Sequence, residues 1–287
     1  MEYIIPWSSW SVTDIQKIDT LLLIDELRRI YTLIRDLGEE DILESSSPEL
    51  QAAFKGLDEL AALEVDEGSI EAILKNPEFH SLLHVISCFR FSYNLKLEIE
   101  KAEGLLSSPN PWETLQNFTF YPNYLQLSNT EYKGSCLKPK DCVLFLGSGP
   151  LPMSLITLCH EHSVQGIGIE QNRERACLSR EVISRLGLSE NIRIIEGNHF
   201  CLPLKTNFDL YVIAAQAEPK KEIFEYLAKA LPEGSKVSYR IYEKGLRKIL
   251  DGSSFFEPPE GFGEYLKAHP EPPVNNTVVF LKKIKNR

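Results

Sequence analysis

Val143-Leu144-Phe145-Leu146-Gly147-Ser148-Gly149-Pro150-Leu151-Pro152 is an apolar run of strand length that ends in two glycines one residue apart. Met153 to His162 then reads as a helix, with Leu155, Ile156 and Leu158 on one side. Strand, glycine turn and helix is the order of a nucleotide-binding βα unit. Glycine lets the backbone turn sharply and approach a ligand that a Cβ would push away. The third glycine of a dinucleotide fingerprint is missing, and Pro150 and Pro152 stand in its place. Proline has no N–H to offer a pyrophosphate, though it suits the first turn of a helix. The stretch therefore favours a ligand without phosphates, such as S-adenosylmethionine, over a dinucleotide. A tight turn that binds nothing is the alternative.

Downstream of this unit the pattern alternates. Strands are expected at 142–146, 165–170, 191–196, 208–213 and 234–240, and helices at 152–163, 172–187 and 219–231, with a shorter one near 244–250. Asn276 to Lys283 reads as a further apolar strand. Strands separated by helices at this spacing imply a parallel doubly wound sheet, and a late strand pairing antiparallel fits its methyltransferase variety. Upstream the chain reads as helix throughout, with no strand pattern before residue 140. Residues 13–37 are amphipathic, with Ile15, Ile18, Leu22, Leu27, Ile30 and Leu33 at helical spacing. Ser47-Pro48-Glu49 is a helix start: a Ser cap, Pro in the first turn and an acid just inside. Further helices are expected to about residue 63, over 68–75, from 77 to about 106, from Trp112 and from about Asn123. The expected fold class is α/β, a helical bundle followed by a Rossmann-like sheet of class I methyltransferase type. The domains would be 1–138, a helical cap or substrate domain, and 139–287, the S-adenosylmethionine-binding domain, dividing near Lys138-Pro139-Lys140.

Ligands of such sheets lie at the carboxyl ends of the strands. Glu170 closes the second strand, where an acid can accept both ribose hydroxyls; a helix-capping acid is the alternative. Asn198 follows the third strand and could meet an adenine amino group, or simply make a turn. Ala214 and Ala215 end the fourth strand and leave room for a ligand or for close packing.

Composition narrows the partners. The chain has 287 residues, 43% of them apolar, and a net charge of −10. That affords a sizeable core and argues against nucleic acid, whose phosphates need a basic surface. No apolar run approaches membrane-spanning length, and Met1 to Trp10 lacks the basic leader and cleavage site of a signal peptide. The six cysteines form no Cys-x-x-Cys pair and suit free thiols in a reducing cytosol, so a cytoplasmic location is expected. His160 and His162 lack nearby carboxylate or thiol companions in sequence, and no protein-bound metal is expected. A homodimer is compatible with all of this.

Phe118-Thr119-Phe120-Tyr121-Pro122-Asn123-Tyr124-Leu125-Gln126-Leu127 is unusually aromatic. With the proline-bracketed glycine turn at 145–152, it resembles the nicotianamine synthase family. The likeness extends to Ser47-Pro48-Glu49, Phe54, Lys96-Leu97-Glu98, the strand ending in Arg240, His269-Pro270 and Val274-Asn275-Asn276-Thr277-Val278. It thus covers the chain from about residue 45 onward. Phe120 stands where relatives tend to have Tyr, Glu170 where Asp is usual, and Ile241-Tyr242-Glu243 where the family has a Ser and a His. The last departure bears on the amine acceptor more than on the reaction type.

The resemblance implies transfer of the 3-amino-3-carboxypropyl group of S-adenosylmethionine to an amine, releasing methylthioadenosine and making a nicotianamine-like metallophore. S-adenosylmethionine is then a substrate. Glu98 would be the base and Tyr124 would orient the amine. Gly147, Ser148, Gly149, Pro150, Leu151, Glu170, Asn198 and Ala214 would hold the adenosyl ligand, and Tyr121, Arg240 and Asn276 the acceptor. Read without the resemblance, Glu98 shares a polar helix face with Asn94 and Lys101 and suits a solvated ion pair with Lys101. A small-molecule N-methyltransferase and a non-catalytic S-adenosylmethionine-binding protein are the other readings. The acceptor, whether S-adenosylmethionine, glutamate or histidine, is left open, as are the number of transfers and the metal chelated.

Overall fold

The computed structural model describes residues 20–285 apart from 64, 66, 204–206, 244–245, 251–255 and 272–273. The first residues of the helix expected over 13–37 lie outside that range. The chain forms two compact units, one of Met1–Phe89 with Lys244–Leu250 and one of Arg90–Glu243 with Asp251–Arg287.

The first unit is helical in its described residues: α1 (Thr20–Ile34), α2 (Glu39–Glu44), α3 (Pro48–Ala62), α4 (Glu67–Lys75), the start of α5 (Pro77–Ser107) and α11 (Arg247–Leu250). Leu23, Leu27, Ile30 and Ile34 form a buried stripe on α1 at spacings of four, three and four. α3 starts as its sequence dictates, with the Ser47 hydroxyl accepting from Leu50 N and Pro48 in the first turn. The short α2 went unanticipated; Gly38 N donates to the Asp41 carboxylate at 2.8 Å and closes its first turn.

The second unit is built on a seven-stranded sheet: β1 (Cys142–Leu146), β2 (Gln165–Glu170), β3 (Ile192–Glu196), β4 (Leu210–Ile213), β5 (Lys236–Ile241), β6 (Phe262–Ala268) and β7 (Thr277–Lys283). Its order is β3-β2-β1-β4-β5-β7-β6. β1 to β5 run parallel, while β7 lies antiparallel between β5 and β6. Side chains alternate between the two faces. Val143, Phe145, Ile194 and Val212 face α8 (Met153–His162) and α9 (Arg173–Arg185), with Ala102 and Leu105 of α5 and Leu115 of α6 (Pro111–Gln116) in the same core. Leu144, Leu146, Tyr211, Tyr239 and Leu281 face α10 (Lys220–Ala230).

β6 is the strand that periodicity did not reveal. It is a half-exposed edge strand with a bulge between Glu264 and Leu266, which breaks the alternation. The segment before β1 is pinned to the sheet helices by its aromatics. Trp112 Nε1 donates to Leu186 O at 3.2 Å, Tyr132 stacks on His162 at 4.0 Å, and Trp112 tilts over His160 at 4.2 Å. α7 (Tyr121–Gly134) ends against β7 so closely that a Cβ on Gly134 would overlap the buried ring of Phe280. Lys138-Pro139-Lys140 connects α7 to β1, with Lys140 at φ +74°.

Candidate active site

The order reverses between β1 and β4, which opens a crevice beyond their carboxyl ends. The glycine turn fills the mouth of that crevice. Gly147 N and Ser148 N both bond Ile169 O, which folds the turn back over β2. Gly147 and Gly149 lie at φ +80° and +70°, a region open to glycine and costly for other residues. A Cβ on Gly147 would stand 3.1 Å from Ala217 Cβ and 3.3 Å from Ala214 Cβ, so the loop after β4 abuts the turn. Buried Lys220 clamps that loop, donating from Nζ to the carbonyls of Ala215 and Ala217 and to Glu218. Its role was not legible in the sequence, where it reads as one of two surface lysines opening α10.

Glu170 is buried, and its two carboxylate oxygens accept from Gly149 N at 3.0 Å and Asn172 N at 2.9 Å. It braces the turn, and each oxygen retains a lone pair for a further donor. Pro150 and Leu151 are buried beneath the turn. Asn198 is exposed, and its Oδ1 accepts from Phe200 N, the turn role weighed for it.

Glu98 comes to this turn from α5. Its Oε2 lies 3.1 Å from where a Cβ on Gly149 would be, so Gly149 leaves room for the carboxylate. The Tyr124 hydroxyl donates to Glu98 Oε1 at 3.3 Å. Lys101 instead lies over the Phe118 ring at 5.7 Å. Burial pushes Glu98 up to about 7; the Tyr124 bond opposes this, Glu170 adds to it and Arg175 opposes it. Glu98 nevertheless keeps some accessible surface, as a group on a cleft wall does. Burial, then the Glu98 charge, hold the Tyr124 phenol well above its ordinary range.

The acceptor candidates are spread more widely. Tyr121, the first residue of α7, is buried in the core. Arg240 is buried and engaged, its Nε 3.0 Å from Glu131 Oε1 and its Nη2 3.0 Å from Ser154 Oγ. Glu131 was missed, because a lone acid on a mixed helix reads as solvated. Asn276 is buried, and its Nδ2 has no hydrogen-bond partner among the described residues. It lines a cavity of about 200 Å³ with Gln126, Thr130, His269, Glu271 and Val274. Glu243, standing in the departure from the family pattern, accepts from Lys267 Nζ and Thr277 Oγ1 and lies 3.1 Å from His269 Nδ1. Among the described residues no three His, Cys, Asp or Glu side chains cluster as metal ligands.

A parallel sheet of this order with an antiparallel β7, and a glycine turn braced by the acid ending β2, define the Rossmann-like fold of methyltransferase type. Comparison with known proteins narrows the class. The family described as "Nicotianamine synthase protein" matches residues 16–287. Nicotianamine synthase 3 of Oryza sativa subsp. indica is 28% identical over 209 residues, which cover 65% of this chain and 59% of that relative. A crystal structure of a glutamate-to-glutamine mutant of MtNAS in complex with S-adenosylmethionine superposes with a TM-score of 0.80 at 29% identity, covering 92% of this chain and 99% of that one. MtNAS in complex with MTA and tNA gives 0.78 at 28% identity, with the same coverage. The chain belongs to the nicotianamine synthase family.

Proposed function

We propose that the protein moves the 3-amino-3-carboxypropyl group of S-adenosylmethionine onto an amine, releasing methylthioadenosine. The observation that carries this reading is the Tyr124–Glu98 pair set against Gly149 of the glycine turn. Family membership and the S-adenosylmethionine held by the MtNAS mutant support it.

The chemistry uses this chain's own groups. An attacking ammonium has no lone pair and must first lose a proton. Glu98, lifted to about 7, is half ionised near neutrality and basic enough to take that proton. The amine then attacks the γ-carbon of the methionine moiety, forming a C–N bond. The C–S bond breaks, and its electron pair leaves with sulfur as neutral methylthioadenosine. Because the sulfonium is already a good leaving group, positioning supplies much of the rate. The Tyr124 hydroxyl orients Glu98 and the amine. Gly147, Ser148, Gly149, Pro150, Leu151 and Ala214 form the seat for the adenosyl ligand, Glu170 meets the ribose, and Asn198 lies toward the adenine. Asn276 and Tyr121 contribute to the acceptor side.

In this reading residues 1–138 form a helical substrate domain and residues 139–287 the S-adenosylmethionine-binding domain. The product, carrying amines and carboxylates, chelates transition metals as a metallophore. The enzyme works in the cytoplasm on small molecules and needs neither nucleic acid nor a membrane. Glu98→Gln tests the reading. It should cut turnover by about 10²–10⁴-fold, the usual worth of a general base, while calorimetry finds S-adenosylmethionine binding intact. Unchanged turnover would remove Glu98 from the mechanism.

A further inference from the structure

Arg240 points to the sheet face shared by Phe145 and Ser238, opposite that of Tyr239 and Ile241. Its guanidinium lies 5.8 Å from the Phe145 ring centroid. Nε and Nη2 lie 3.0 and 2.9 Å from a single Glu131 oxygen, and Nη2 also donates to Ser154 Oγ. Glu131 is fully buried and Arg240 is 5% exposed, so the pair is dry. A substrate carboxylate could take the Nε–Nη2 edge only by displacing Glu131.

The positions of the two partners matter. Glu131 lies two turns after Tyr124 on α7, with Leu127 and Ser128 between them on the buried side. Ser154 is in the first turn of α8, directly after the glycine turn. The guanidinium therefore ties the helix that bears Tyr124 to the helix that opens at the ligand turn. Thr157 Oγ1 of α8 adds a weaker tie, 3.4 Å from Tyr124 O.

We propose that Arg240 and Glu131 are positioning residues: their buried pair fixes α7 against α8 and the sheet, and so keeps the Tyr124 hydroxyl on Glu98, while Arg240 binds no substrate. This rests on Glu98 being the proton acceptor. Glu98 is faced by Tyr124, Glu170 and Arg175, and Tyr124 by Glu98, Arg240 and Tyr242. Of these, the Tyr124 bond is the strongest influence holding Glu98 down. Slackening α7 weakens that bond, and the acidic limb of the pH–rate profile moves up.

The test compares Glu131→Gln, Arg240→Met and the double variant Glu131→Leu/Arg240→Met, with and without Tyr124→Phe. Arg240→Met should lower kcat by about 100-fold, the scale of an ångström-size misplacement, with KM for both substrates within about twofold. Its pH limb should shift upward, and adding Tyr124→Phe should shift it no further. Glu131→Gln should move the limb the same way with less loss of kcat. The double variant removes both buried charges, so it should regain the Tm lost by Arg240→Met, keep KM unchanged and recover part of kcat. Tenfold higher KM for either substrate in the double variant would make Arg240 a substrate ligand and overturn the proposal. So would a pH limb that stays in place while kcat falls. If Arg240→Met does not fold, the double variant decides alone. Failure of the Glu98 assignment shows separately, as turnover in Glu98→Gln.

Discussion

Removing the Glu98 carboxylate should change stability as well as rate. Its pKa is about 7 in the fold against an ordinary 4.5, so between those values the folded state holds the proton that the unfolded state releases. Stability from this group is therefore full below pH 4.5 and lost as pH rises through 7. Glu98→Gln should leave urea stability unchanged near pH 4 and raise it above pH 7, by on the order of 3 kcal/mol at the conversion of about 1.4 kcal/mol per unit. On the proposed reading of Glu98 as proton acceptor, kcat should climb through about pH 7 as Glu98 ionises. Tyr124→Phe deletes the hydrogen bond that favours ionisation and should move that climb to higher pH. These roles were half legible in the sequence. The family resemblance singled out Glu98, yet the polar helix face it shares with Asn94 and Lys101 pointed to Lys101. The true partner, Tyr124, lies 26 residues on and is brought in by tertiary packing alone. Arg240 and Glu131, 109 residues apart, were beyond any local pattern.

At the level of elements, the glycine turn and the α7–β7 seam are the two places where a methyl group should matter most. Gly149→Ala adds a Cβ at φ +70°, 3.1 Å from Glu98 Oε2. The strain is only about 1–2 kcal/mol, so the protein should fold, but the carboxylate must move. Single-turnover rates should drop far more than stability does. Gly134→Ala is the converse case. Its methyl group would meet the fully buried Phe280 ring, and overpacking of that kind costs about 1–3 kcal/mol. The urea midpoint should fall while kcat at low temperature holds. β1 and β2 were readable to the residue because their apolar runs are buried on both faces and bounded by turn signals. β6 was not, because its exposed residues and bulge erase the period-2 signal. α2 was missed because its six residues carry four acids and no stripe.

For the whole molecule, the sheet order and the acid-braced glycine turn fix the fold and leave open which group of S-adenosylmethionine, methyl or aminocarboxypropyl, the proposed reaction moves. What separates the two outcomes is which carbon on sulfur faces the deprotonated amine. The fold class was legible from the alternation after residue 140; the convergence of α5 and α7 on the ligand turn was legible only through the family resemblance, since it depends on contacts between segments far apart in sequence. Incubation of the purified protein with S-adenosylmethionine and candidate amine acceptors, followed by mass spectrometry of the nucleoside coproduct, asks that question outright. Methylthioadenosine, with an acceptor heavier by one aminocarboxypropyl group, is the expected result. S-adenosylhomocysteine with a methylated acceptor would contradict it.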